Sequence, residues 1–232
     1  MAAMSDDGSR ASTRQWLHAR GLLLVNLALF VLFLGGMTLT GWHHASAEQV
    51  EHGQAALTLG QYLVSGGYSE AVFENCESEF LQMGMYVVLT AFLVQRGSSE
   101  SKPVDERADQ DADPRHADLT TDVPWPVRRG GWVLRVYENS LALLFLLLFL
   151  GSVAGHAVGG ARDHSEEQLA HGEPAVSTWQ YLGTSRFWFE SFQNWQSEFL
   201  AVAVIVGASV YLRQRSSPES KPVAAPHDQT GA

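Results

Sequence analysis

Apolar residues in this chain are gathered into runs. Residues 22–40 (LLLVNLALFVLFLGGMTLT) and 139–158 (NSLALLFLLLFLGSVAGHAV) each go about twenty positions without Asp, Glu, Lys or Arg. At about 1.5 Å per residue, that length covers a hydrocarbon core of about 30 Å. Two shorter runs, 80–94 and 199–212, have the same character. The pattern predicts an all-α, polytopic membrane protein with four transmembrane helices, at about 21–41, 76–95, 138–159 and 194–212. A soluble protein with four core helices is the competing reading. Averaged over the chain, mean hydropathy is only −0.05, because polar loops dilute the runs.

The pattern also repeats. A single offset of 119 sets FENCESEFL (73–81) against FQNWQSEFL (192–200), EQVEHG (48–53) against EQLAHG (167–172), and TLGQYL (58–63) against STWQYL (177–182). It also sets QRGSSESKPV (95–104) against QRSSPESKPV (214–223). Each half therefore reads as span, loop, span, tail. Two spans per half make the repeats parallel rather than inverted. The expected organisation is a tail (1–15), a first hairpin (16–96), a disordered linker (97–130), a second hairpin (131–215) and a disordered tail (216–232). The linker and tail are rich in Asp, Ser and Pro, a composition that stays solvated.

Charge then orients the hairpins. The 15 Lys and Arg residues fall before, between and after the four runs as 3, 0, 7, 2 and 3. The positive-inside rule makes both termini and the central linker cytoplasmic, and the two long loops external, in a plasma membrane. A signal peptide is a weaker account of the first run, since a charged, Ser-rich stretch precedes it. The single cysteine, Cys76, permits no internal disulfide. The net charge of −10 comes with no nucleic-acid footprint.

Candidate chemistry centres on the repeated motif. On a helix, Asn75, Ser78 and Glu79 share one face, as do Asn194, Ser197 and Glu198. From Phe80 to Gln95 and from Phe199 to Leu212 the apolar runs cover only about 24 and 21 Å at the helical rise. Each helix must then continue outward through its glutamate, which predicts an outer-facing polar pocket lined by these six residues. The alternative is a helix-start device in which the acids complement the helix dipole. Gly151, Gly155 and Gly159 form a small-residue series for close helix packing, between the halves or between protomers of a homo-oligomer. Asn26 and Asn139 are expected to bond across that crossing. In the outer loops, Ser46/Gln49, Ser165/Gln168, Thr58/Gln61 and Ser177/Gln180 match capping boxes that open short interfacial helices. Glu48/His52 and Glu167/His171 have an i,i+4 spacing that can ligate metal, but no third ligand at fixed spacing, so no metal and no cofactor are expected. His43, His44, His156 and His164 are read as interfacial. No hydrolase, metalloprotease or phosphate-loop signature is present.

The first apolar segment WLHARGLLLVNLALFVLFLGGMTLTGW, the two His-Gly loops, the paired QYL, ENCESEFLQM with QNWQSEFL, and SKP after each hairpin together resemble a bacterial, largely actinobacterial, integral membrane family catalogued as a domain of unknown function. The similarity covers about residues 14–223. It implies membrane location and the two-hairpin layout, and carries no activity. Cys76 departs from the Trp that the second copy has at Trp195. The expectation is a non-enzymatic binding or structural membrane component whose partner is the lipid bilayer. The alternative is a small transporter or ion-conducting oligomer that uses Glu79 and Glu198 to move protons or cations.

Overall fold

The computed structural model describes residues 5–119 and 122–231. Residues 1–4 of the expected tail, 120–121 of the linker and 232 lie outside them. All regular structure among the described residues is helical. The chain divides into two compact units, one through Tyr68 and one from Ser69 onward.

The first unit is helix α1 (Ser5–Glu51) and the short α2 (Leu59–Leu63). The capping box expected at Ser46 does not form. α1 is already running there, and the Ser46 hydroxyl instead donates to the carbonyl of Leu57 at 3.2 Å. Trp42 Nε1 donates to the same carbonyl at 2.7 Å. The second box is present, with Thr58 and Gln61 capping each other at the start of α2. α2 lays Tyr62 against Gly41, where a Cβ would collide with the Tyr62 hydroxyl. Gly53, with φ +75°, follows the end of α1, the left-handed position past a helix end that favours glycine.

The second unit takes most of α3 (Gly66–Phe92). It continues through α4 (Trp125–Arg129), α5 (Gly131–Glu138), α6 (Ser140–Ala170), α7 (Thr178–Tyr181) and α8 (Ser185–Ala208). α3 crosses α6 at the glycine series. A Cβ on Gly155 would enter the Phe73 ring, and one on Gly159 would come within 2.6 Å of the Glu70 backbone nitrogen. Gly151 faces open space and takes no part. Gly160 admits the Tyr181 ring, whose nearest atoms would lie 2.5 Å from a Cβ placed there. Asn26 and Asn139 do not bond across helices. Each donates to the carbonyl one turn back, Leu22 and Arg135.

The segments expected to be disordered hold turns at Asp109–Asp111 and Pro114–His116, and they meet each other. Ser98 bonds Ser209 at 2.8 Å, and Ser99 bonds the Glu219 carbonyl at 2.9 Å. Buried Lys221 gives its three protons to the carbonyls of Pro226, His227 and Gln229 at 3.2, 2.9 and 2.9 Å. Local bonds recur at the sequence offset of 119. Ser46 to Leu57 matches Ser165 to Val176, and Asn75 to Ala71 matches Asn194 to Glu190.

Two helices, Gln15–Glu51 and Ser140–Ala170, are long and apolar enough to cross a bilayer. Burial is inverted relative to a water-soluble fold. Among the described residues, nine buried polar or charged side chains stand against seven buried hydrophobic ones. Leu144, Leu147 and Leu150 on α6 are about half exposed or more. A soluble core has the opposite arrangement.

Candidate functional site

The buried polar side chains converge in the second unit, where α3, α6, α7 and α8 meet. α3 supplies Glu70, Glu74 and Glu77 at i, i+4 and i+7, which is one helix face. α6 supplies His156 between the small residues Ser152, Gly155 and Gly159, whose size lets α3 approach closely. α7 is a single turn started by the Ser177/Gln180 capping box, and it ends on Tyr181. α8, capped by Thr184, carries Arg186, Glu190 and Asn194 on one stripe and Phe187, Ser191 and Trp195 on the next.

His156 is 0% exposed and Glu77 1%. The imidazole Nδ1 lies 2.9 Å from Glu77 Oε2, and Nε2 lies 3.3 Å from Glu190 Oε2. Trp195 Nε1 donates to the other oxygen of Glu77 at 3.1 Å. The Phe187 ring packs 4.7 Å from the imidazole. The fully buried Tyr181 hydroxyl sits 2.6 Å from Glu190 Oε2 and 2.8 Å from Glu70 Oε1. A phenol has one proton to donate, so two short contacts to carboxyl groups require a second proton, carried by a carboxyl. Glu70 is suited to hold it. Burial, with the charges of Asp163 and Glu190 adding, pushes its carboxyl up to about 7, against the Tyr181 bond and Arg186. Burial would raise Glu190 as well. The bonds from His156, Tyr181 and Arg186 outweigh that and hold it down to about 2. Tyr181 is driven upward by burial and by both carboxylates.

Arg186 closes one side. Its Nε donates to Glu190 Oε1 at 2.9 Å, while its terminal nitrogens reach Asp163 at 2.9 Å and Glu167 at 2.7 Å. Asn194 Nδ2 bridges the Glu74 carboxylate and the Glu190 carbonyl. The facing ligand atoms of Glu70, His156 and Glu190 all lie within 4.8 Å of one another.

The six pocket residues expected from the motif are only partly brought here. Asn194 joins the network. Ser78 is buried but donates to the Asn75 carbonyl at 2.8 Å, and Ser197 repeats that bond to Asn194 at 2.8 Å. Asn75 bonds back to Ala71. Glu79 is exposed. It follows Glu77 by two residues, a rotation of about 200° at 3.6 residues per turn. It lies within charge range of Glu198, and Gln82 donates to the Glu198 backbone carbonyl at 3.2 Å. The His52 and His171 rings each bond the carbonyl four residues back, at 2.8 and 2.9 Å, finishing their helices.

Sequence reasoning passed over Glu70, Glu74, Glu77, Tyr181, Arg186 and Glu190, and read as interfacial a His156 that is fully buried between Glu77 and Glu190. One signal was available: His156 is the lone histidine in an apolar run that holds no Asp, Glu, Lys or Arg. An ionisable residue within a span marks a site by default.

Fold and site together define a class: an all-helical protein with two helices able to span a membrane and a buried carboxylate, histidine and tyrosine cluster. The chain belongs to a family described as a domain of unknown function, DUF6766, whose model matches residues 13–232. No curated protein and no solved structure matches it.

Proposed function

We propose that this chain is a multi-pass membrane protein, a binding or structural component rather than an enzyme, that holds a cation in a polar pocket beneath its outer face. Support for the membrane comes from the apolar runs, the inverted burial and the placement of Lys and Arg. In this reading the apolar parts of α3 and α8, from about 76 and 194, are the second and fourth spans. The hairpins are parallel, and both termini are cytoplasmic. One observation carries the pocket: Glu70, Glu74, Glu77 and Glu190 surround His156, while the neighbouring Arg186 is already shared with Asp163 and Glu167. Four carboxyl groups this close can stay ionised away from water only with positive charge beside them; a bound cation supplies it by displacing the proton that Glu70 otherwise holds.

Ligands that bind only the folded state raise its unfolding temperature. Thermal unfolding of the detergent-purified chain, followed in chloride salts of Na⁺, K⁺, Mg²⁺, Ca²⁺, Mn²⁺ and Zn²⁺ at matched ionic strength, tests the pocket. At least one cation is expected to raise the midpoint, and the Glu70→Gln/Glu190→Gln variant to lose the response. Indifference to all six would end this reading.

A second reading rests on the proximity of Glu79 and Glu198: a small transporter or ion-conducting oligomer that moves protons or cations past them. It requires a cation or pH-driven flux in vesicles that Glu79→Gln with Glu198→Gln abolishes.

A further inference from the structure

We infer that Glu70, His156 and Glu190 form a binding site for a divalent first-row transition metal ion, of the Zn²⁺ and Mn²⁺ class. This deepens the cation reading above and depends on it. The three donor atoms lie within 4.8 Å of one another. Donor atoms around a tetrahedral ion, at about 2.0–2.2 Å each, stand about 3.3–3.6 Å apart. The widest pair must therefore close by up to about 1.4 Å, a movement within reach of side-chain rotation in two glutamates.

Three further features point the same way. First, His156 is oriented as metal-bound histidines are. Its Nδ1 faces the buried Glu77 carboxylate at 2.9 Å, which leaves Nε2 turned toward the other two ligands. A carboxylate behind the ring fixes the tautomer and strengthens the imidazole as a donor. Trp195 in turn holds the far oxygen of Glu77. Second, Arg186 occupies Glu190 Oε1, so Oε2 alone faces the imidazole and Tyr181. That makes Glu190 a one-oxygen ligand. Third, the Ser191 hydroxyl is 1% exposed and has no partner. It lies one turn from Phe187, which stacks on His156, and one turn from Trp195, which bonds Glu77. A buried hydroxyl without a protein partner leaves a bonding position for a water on that stripe.

The donor set selects the class of ion. Imidazole disfavours alkali ions and Ca²⁺, and the two carboxylates disfavour Cu⁺. The carboxylates of Glu70 and Glu190 match the double positive charge of such an ion, and the Glu77 carboxylate behind the ring stands against the Arg186 guanidinium on Glu190.

The test uses the full chain in detergent micelles, stripped with EDTA and dialysed against Zn²⁺, Mn²⁺ or Co²⁺. Elemental analysis is expected to find one ion per chain, and Co²⁺ to give visible absorption bands of a site with a nitrogen ligand. His156→Ala and Glu190→Gln should weaken binding at least 100-fold, and Glu77→Gln about 10- to 100-fold. His171→Ala, outside the site, should bind as the parent does. Should the interior variants misfold, the parent's stoichiometry and Co²⁺ spectrum decide alone. Absence of a bound transition ion in the parent, or binding that a folded His156→Ala variant retains, overturns the inference. If Na⁺, K⁺, Mg²⁺ or Ca²⁺ stabilises the chain while transition ions do not bind, the cation reading stands and this one falls. If no cation acts, both fall.

Discussion

The Tyr181 hydroxyl lies between two carboxyl groups, and its removal is informative because of what it leaves behind. Tyr181→Phe keeps the ring in place against Gly160 while depriving buried Glu70 of its hydrogen bond; Glu190 keeps His156 and Arg186. A buried polar group deprived of its bond costs about 1–3 kcal/mol, so denaturant unfolding should show a loss of that size. Tyr62 is the counterpart of Tyr181 at the 119 offset, but its hydroxyl lies against Gly41 and its ring packs edge-on against Tyr68. Tyr62→Phe should therefore cost clearly less. The same comparison between halves explains why sequence reading settled on other glutamates. Glu70, Glu74, Glu77, His156 and Glu190 correspond to Phe189, Gln193, Gln196, Met37 and Ala71, none of them charged. Internal repetition highlights what the halves share, and the shared Ser78 and Ser197 make the same helix-local bond to Asn75 and Asn194. The interior cluster is built from what they do not share. Backbone strain shows a similar asymmetry. Ser216 takes φ +70° where its counterpart Gly97 takes φ +83°. A left-handed conformation costs a residue with a side chain about 1–2 kcal/mol, and glycine's extra chain entropy offsets part of any relief. Ser216→Gly should thus raise stability by up to about 1 kcal/mol in the same assay.

At the scale of elements, the four apolar runs fall on the four long helices, which extend beyond them. The expected spans 76–95 and 194–212 begin well inside helices that start at Gly66 and Ser185, and α1 and α6 run on to Glu51 and Ala170. The apolar run covers only part of each helix. The extra turns are polar, and they persist because their side chains bond inward or across a loop, as Ser165 does to Val176. The capping pattern at Ser165 failed for that reason: a helix already under way has no free amides there to cap. The glycine series was legible as a packing face, but sequence could not say which members touch. Gly159→Ala would press a methyl group against the Glu70 backbone, which cannot swing aside as a flexible side chain would. Overpacking of this kind costs about 1–3 kcal/mol, and it should also part Glu70 from Tyr181. Gly151→Ala meets nothing and should gain up to about 1 kcal/mol from helix propensity. Thermal unfolding of the two variants side by side separates contact from mere spacing.

For the whole molecule, the decisive contrast is between where apolar and polar groups lie. The two helices long and apolar enough to cross a membrane were readable because that property depends on local runs of sequence. The polar interior was not, since it forms only when residues 70–77, 156, 181 and 186–195 converge from distant parts of the chain. Topology links the two. If the hairpins are parallel and the basic segments cytoplasmic, the glutamate-rich ends of α3 and α8 face outward, and the cluster loads from outside. Replacing Cys76 with Ala clears the only native thiol and allows single cysteines to report sidedness. Gln54 and Glu173 lie in the loops after α1 and α6, while Asp105 and Asp228 lie in the linker and tail, and all four are exposed. In intact cells a membrane-impermeant maleimide should label Gln54→Cys and Glu173→Cys. Asp105→Cys and Asp228→Cys should react only after permeabilisation. Labelling of positions 54 and 173 from opposite sides would make the repeats inverted. That would place the carboxylate end of α3 or α8 at the cytoplasmic face, and the cluster, which needs both helices, could not then form in the membrane.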